Sequence, residues 1–135
     1  VVQLEEETGL SSWGVVGYER EILNSNALML KATQDTEDDL LGFLMGRKIT
    51  DEFELFSIAV VAEARQRGIG SALLSVLIDV LVQDKIRHCW LEVRAQNLAA
   101  ISLYKKHGFQ VVGRRVGYYR SPLDDALIMH WESDR

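Results

Sequence analysis

Arg65, Gln66, Arg67, Gly68, Ile69, Gly70 and Ser71 stand in unbroken order at the head of a long apolar run. Arginines and glycines in that place make a seat for an anion. The first N–H groups of a helix lack an intrahelical partner and carry partial positive charge. Glycine lets a phosphate approach the backbone and allows positive φ, while Arg65 and Arg67 add charge at the rim. The spacing leaves a plainer alternative open, a glycine-rich turn with solvated arginines. Two commoner phosphate motifs are absent. No Gly-x4-Gly-Lys-Ser/Thr occurs, and "GIGSAL" has Leu73 where a GxGxxG fingerprint needs its last glycine.

Two titratable residues could move protons. Glu92 lies in "CWLEVRA", where alternation puts Trp90, Glu92 and Arg94 on one face of a strand and Cys89, Leu91 and Val93 on the other. A carboxylate in such a strand tends toward burial, which would raise its pKa to a useful value for a base. The alternative is a structural ion pair with Arg94 or another arginine. Tyr104 shares a helix face with Ile101 and is either a proton donor or a core tyrosine. Asn97 is placed to cap that helix. His88, His107 and His130 have no metal-ligand spacing with Cys89, so no metal site is expected, and no Gly-x-Ser-x-Gly elbow is present.

These residues need elements to hold them. The chain has 135 residues, the size of a single domain, 1–135. Its hydrophobic content of 47% supports a core and argues against disorder. The net charge of −5 argues against a nucleic-acid ligand and suits a basic protein or peptide. One cysteine, Cys89, excludes an internal disulfide and fits a reducing, cytoplasmic setting. No apolar run approaches the ~20 residues that span a membrane, and no signal-like segment opens the chain. A start at Val1 rather than Met points to a removed N-terminal piece.

"VVQLEEETGL" and "WGVVGYEREILN" read as two short amphipathic helices. "ALMLKAT" and "LLGFLMGRKIT" read as a hairpin around the acidic turn "QDTEDD". In "DEFELFSIAVV", a third strand, Phe53, Leu55 and Ser57 fall on one face and Glu54, Phe56 and Ile58 on the other. A helix follows to about Lys85, with Leu73, Leu74, Leu77, Val80 and Leu81 at helical spacing. "HCWLEVRA" is a strand and "LAAISLYKKHG" a helix closed by Gly108. "FQVVGRRVGYY" and "DALIMHWES" are final strands around "RSPLDD". The acidic runs Glu5–Glu7 and Asp35–Asp39 read as solvated surface. Strand–helix–strand units in the middle imply parallel pairing, and the flanking hairpins imply antiparallel pairing. The expected fold is α/β, a mixed, mostly antiparallel central sheet with helices on both sides.

"RQRGIG" between a strand and a helix resembles the Arg/Gln-x-x-Gly-x-Gly/Ala motif of the GCN5-related N-acetyltransferase (GNAT) superfamily. "FSIAVV", "WLEVRAQNLAAISLYKKHGF", "GRRVGYY" and "DALIM" extend the likeness to its bacterial ribosomal-protein-alanine N-acetyltransferase subfamily. The resemblance runs from about Trp13 to Met129. The family begins with a strand that this chain is expected to lack.

The resemblance implies acetyl transfer from acetyl-coenzyme A, as co-substrate and without a metal, to a protein N-terminal amine. The acceptor implied is the N-terminal alanine of a basic, small-subunit ribosomal protein, with no nucleic acid or membrane as partner. It implies that Arg65 to Ser71 hold the pyrophosphate and that Asn97 contacts the coenzyme. By the same likeness, the strand with Ile58, Ala59 and Val60 splays from its neighbour and offers backbone groups to the pantetheine arm. Glu92 takes the base position, Tyr104 points its hydroxyl at the sulfur, and Trp13, Tyr118 and Tyr119 flank the acceptor. Direct transfer in a ternary complex is expected, since no Cys or Ser sits where an acetyl carrier would be needed. The rival readings are a lysine or small-molecule amine acetyltransferase and a non-catalytic acyl-coenzyme A binding module.

Overall fold

A computed structural model of the chain describes residues 15–22, 26–34, 40–61 and 68–134. Its elements in chain order are β1 (Val15–Ile22), β2 (Ala27–Gln34), β3 (Leu40–Ile49), β4 (Glu52–Val60), α1 (Ile69–Gln83), β5 (His88–Arg94), α2 (Leu98–Lys106), β6 (Gln110–Arg120) and β7 (Leu123–Glu132). The strands form one seven-stranded sheet, ordered β1-β2-β3-β4-β5-β7-β6. Among the described strands, only β4 and β5 pair in parallel; every other neighbouring pair is antiparallel. The sheet is therefore mixed and mostly antiparallel, and the two described helices pack on one face of it.

Parallel strands need a long crossover, and α1 supplies it. Ile69, Ala72, Leu73, Val76 and Leu77 recur at helical spacing and are buried against β2, β3 and β4. Burying each large aliphatic side chain contributes roughly 1.5–3 kcal/mol. The helix α2 packs on the same face of the sheet. Its Tyr104 and Ile101 belong to the core that contains Cys89, Leu91 and Val93 of β5. Backbone bonds from Ala95 to Asp125, and from the Gln96 N–H to the Asp124 carboxylate, tie the β5–α2 connection to β7.

Two expectations need correction. Val15–Ile22, expected to be helical, is a strand paired antiparallel with β2. Its Glu19, Arg20 and Glu21 allow a helical reading, but Val15, Val16, Gly17 and Ile22 are poor helix formers, and pairing with β2 supplies the backbone bonds. The strict alternation expected along β4 also fails. Met45 pairs with Ser57 and Gly46 with Leu55, so Phe56 is an extra residue, a β-bulge. Past it, Ile58 and Val60 take the helix-facing side that Phe53 and Leu55 hold before it. A Cβ at Gly46 would collide with the Glu54 carbonyl and the Phe53 ring, so only glycine fits beside the bulge. The expected helix "VVQLEEETGL", Trp13 and the acidic turn at Asp35–Asp39 lie outside the described residues. No helix among the described residues is long and apolar enough to cross a membrane.

Candidate active site

The parallel ladder between β4 and β5 is short. It joins Glu52 to His88, Phe53 to Cys89 and Glu54 to Trp90, and then stops, although both strands continue. Beyond Trp90 the sheet is split. Val61 donates to the Leu41 carbonyl at 2.8 Å. Alternation then turns the Ala59 backbone toward β3 and the Ile58 and Val60 backbones toward the split. The expected splay is present. It corrects one detail, because Ala59 spends its backbone on the ladder with Phe43.

At the mouth of the split lies the N-terminus of α1. Gly68 occupies its cap with φ 83° and no side-chain hydrogen bond, and its first turn holds no acidic residue. Ala72 is the first residue to close a helical bond, to the Gly68 carbonyl at 2.9 Å. The N–H groups of Ile69, Gly70 and Ser71 precede it, and a phosphate would satisfy them. Arg65, Gln66 and Arg67 lie outside the described residues. Gly70 does not need positive φ. A Cβ there would lie in ordinary contact, 3.4 Å from Leu103, 3.9 Å from Ile58 and 4.0 Å from Val60. Gly70→Ala should therefore fold and bind coenzyme A within a fewfold of wild type. Gly70→Asp would aim a carboxylate into the mouth of the split and should weaken binding by tenfold or more, about 1.4 kcal/mol. Calorimetry with coenzyme A on both folded variants checks this.

Glu92 faces away from the helices, opposite Cys89, Leu91 and Val93 as alternation predicts. It is not buried: its side chain is 35% exposed and lies 3.4 Å from Arg115. An arginine does pair with it, but that arginine is Arg115 and not Arg94. Arg94 instead donates to the carbonyls of Pro122 (2.8 Å) and Ser121 (3.3 Å) and stacks over the Tyr119 ring at 4.2 Å. It thereby fastens the β6–β7 turn. Glu92, Glu54, Phe56, Arg115, Tyr118 and Tyr119 line one cleft of about 560 Å³. The Arg115 guanidinium lies 5.5 Å from the Tyr118 ring, and Tyr118 meets Tyr119 edge-on at 5.1 Å. Burial, with Glu92 adding to it, raises the Tyr119 phenol. Phe56, placed here by the bulge, is 56% exposed. The structure thus brings Tyr118 and Tyr119 to Glu92, while Trp13 lies outside the described residues.

Tyr104 lies on the helix side of the sheet. It is buried, and its ring is 5.8 Å from that of Phe109. Burial, with Cys89 adding to it, pushes its phenol up from the ordinary 10 to about 12. Cys89 is itself buried and its thiol is pushed up to about 12, so it carries no thiolate near neutral pH. Asn97 caps α2, its side chain accepting from the Ala100 N–H at 3.2 Å. Glu92 and Tyr104 therefore stand on opposite faces of the sheet. One reacting centre can meet both only through the split.

Sequence reasoning passed over a site role for Phe56 and Arg115, the hold of Arg94 on the β6–β7 turn, and the 2.7 Å contact between Ser71 and His107. Gly46 within a strand was the available signal for the bulge. Nothing local marks the Ser71–His107 contact. Among the described residues, no three His, Cys, Asp or Glu side chains form a metal-binding group.

A mixed sheet split between parallel strands, with a glycine-headed helix at the split, is the fold of the acyl-coenzyme A N-acyltransferases. The sequence matches the acetyltransferase (GNAT) family over residues 2–109, and the chain belongs to that family. It is 42% identical over 104 residues to the [ribosomal protein bS18]-alanine N-acetyltransferase of Salmonella typhimurium, covering 76% of this chain and 69% of that protein. The protein of the same description from Escherichia coli K12 is 41% identical over 92 residues, covering 67% and 62%. A crystal structure of the ribosomal-protein-S18-alanine N-acetyltransferase from Escherichia coli superposes with a TM-score of 0.76 at 37% identity, over 81% of this chain and 70% of that one. The chain thus spans 69% and 62% of the lengths of these two curated relatives.

Proposed function

We propose that the protein transfers acetyl from acetyl-coenzyme A to the α-amine of a protein N-terminus, in the cytoplasm, by direct transfer in a ternary complex. The preferred acceptor is the N-terminal alanine of a basic ribosomal protein akin to bS18. The observation that carries the reading is the split, with Tyr104 on its helix side and Glu92 in the cleft beyond. On this reading the coenzyme's pyrophosphate rests on the first turn of α1, and its arm runs along Ile58 and Val60 into the split. The acceptor enters the cleft between Glu92 and the Tyr118–Tyr119 pair. Its nitrogen attacks the thioester carbonyl; the C–N bond forms, the C–S bond breaks, and sulfur leaves as thiolate toward Tyr104. Glu92 takes the proton that nitrogen loses. The demand on this base is modest. An α-amine has pKa about 7.7–8.0, so roughly a tenth is neutral at pH 7, against under about one in a thousand for a lysine near 10.4. The relatives named for bS18-alanine support this acceptor class, and the inert Cys89 thiol supports transfer without a covalent carrier.

The test is acetylation of short peptides that differ in their first residue, beside one with a blocked α-amine and an internal lysine. Free-amine peptides, alanine first, should be the better substrates. A better blocked lysine peptide would replace the N-terminal assignment with the lysine reading. Coenzyme binding without acetylation of any amine would leave a binding module.

A further inference from the structure

Ser71 and His107 are 36 positions apart in the chain, yet the Ser71 Oγ lies 2.7 Å from the His107 Nε2. Ser71 is the third residue of α1, in the turn whose N–H groups have no helical partner, and His107 caps the C-terminus of α2. One turn back along α2, Leu103 packs where a Cβ on Gly70 would point. This flank of α2 therefore lies along the first turn of α1. We propose that His107 is a positioning residue of the coenzyme seat, which turns the Ser71 hydroxyl toward the pyrophosphate and binds a proton as the coenzyme binds. The proposal rests on the reading that the first turn of α1 receives that pyrophosphate.

The argument is one of hydrogen-bond direction. A hydroxyl has one proton to donate, and a neutral imidazole has one donor and one acceptor nitrogen. If Ser71 donates to Nε2, its oxygen has only lone pairs left to show an anion. If Nε2–H donates to Ser71, the hydroxyl proton is free for a phosphate oxygen. An anion selects the second arrangement. The imidazolium permits no other, so protonation of His107 and anion binding favour each other.

The charges around His107 are mixed. Lys106 is its neighbour on α2, and Asp79 of α1 shares a cavity with it, as do Glu132 of β7 and Asp134 beyond that strand. Burial first, and Lys106 second, lower the free protein's His107 below the usual 6.5. Anion binding raises it again. The extra affinity is therefore full below the free value and is lost as pH rises through the bound value.

The experiment is calorimetric titration of coenzyme A at about pH 6, in buffers of different ionisation heat, which counts the protons taken up. The phosphate monoester of coenzyme A itself titrates near 6, so the readout is the difference between wild type and variants. His107→Gln keeps a hydrogen-bonding group near Nε2 but cannot titrate. Wild type should take up a measurable fraction of one proton more than His107→Gln, as expected when binding raises the value of a single site. As pH rises through the bound value of His107, the proton excess over His107→Gln should vanish. Ser71→Ala should lose the same proton excess, because the coupling passes through its hydroxyl. Equal uptake in wild type and His107→Gln, or an excess that survives in Ser71→Ala, overturns the proposal while leaving the seat intact. If Gly70→Asp binds coenzyme A as tightly as wild type, the seat itself is misplaced and the proposal falls with it.

Discussion

Glu92→Gln should acetylate a free α-amine peptide about 10²-fold more slowly than wild type at pH 7, the ordinary scale of general acid–base catalysis. Glutamine keeps the shape of the side chain and an oxygen for Arg115, but it cannot accept a proton at neutral pH. The defect should shrink as pH rises past about 8, where the α-amine loses its proton to solvent. On a lysine acceptor the recovery should wait for that amine's own, higher pKa. The measurement is a pH–rate profile of wild type and variant on both peptides. A defect that is the same at pH 7 and pH 9 would mean that Glu92 positions the acceptor without taking its proton. The exposure of Glu92 sharpens the test. Burial is not what activates it, so its contribution must come from its place in the cleft.

Tyr104→Phe should also lower turnover by about 10²-fold, with coenzyme A affinity changed by less than about threefold. Phenylalanine keeps the packing against Phe109 and removes only the hydroxyl. With its phenol pushed up to about 12, Tyr104 holds its proton more tightly than a thiol of about 8.5. On the proposed reading it therefore stabilises the departing thiolate by donating a hydrogen bond, as an oxyanion-hole donor does, and keeps its own proton. The raised value also fixes the pH behaviour. The hydroxyl acts while protonated, and it stays protonated until pH nears 12. Wild type should show no alkaline loss from this group up to about pH 10, well short of its titration. Turnover near wild type in the variant would return Tyr104 to a packing role.

What the sequence made legible follows from how local each signal is. Leu73, Leu74, Leu77 and Leu81 mark α1 because its helical period repeats within the segment itself. The alternation from Cys89 to Arg94 puts Glu92 on the correct face for the same reason. That face proved open to solvent, since burial depends on what covers it and not on the strand's own pattern. The bulge at Phe56 breaks the period of two, and only Gly46 on the neighbouring strand hints at it. The segment from Val15 to Ile22 carries two local signals in conflict, and pairing with β2 decided between them. Arg115 on Glu92, Arg94 on the β6–β7 turn and His107 on Ser71 are long-range contacts, which no periodicity reports. The acceptor side is built mostly from such contacts, so it was the least readable part of the chain.

The stop in the β4–β5 ladder after Glu54 and Trp90 turns the sheet into a partition with a slot. On the proposed reading each substrate has its own side, and only the acetyl group crosses. The two binding reactions then need not share an entrance. Either substrate can arrive first, and either product can leave without waiting for the other to clear its path. Their sizes are uncoupled as well. The helix side must fit one small carrier of fixed dimensions, whereas the cleft side limits only the few residues that reach the slot. A whole ribosomal protein can be presented there as readily as a peptide, provided that its first residues hang free.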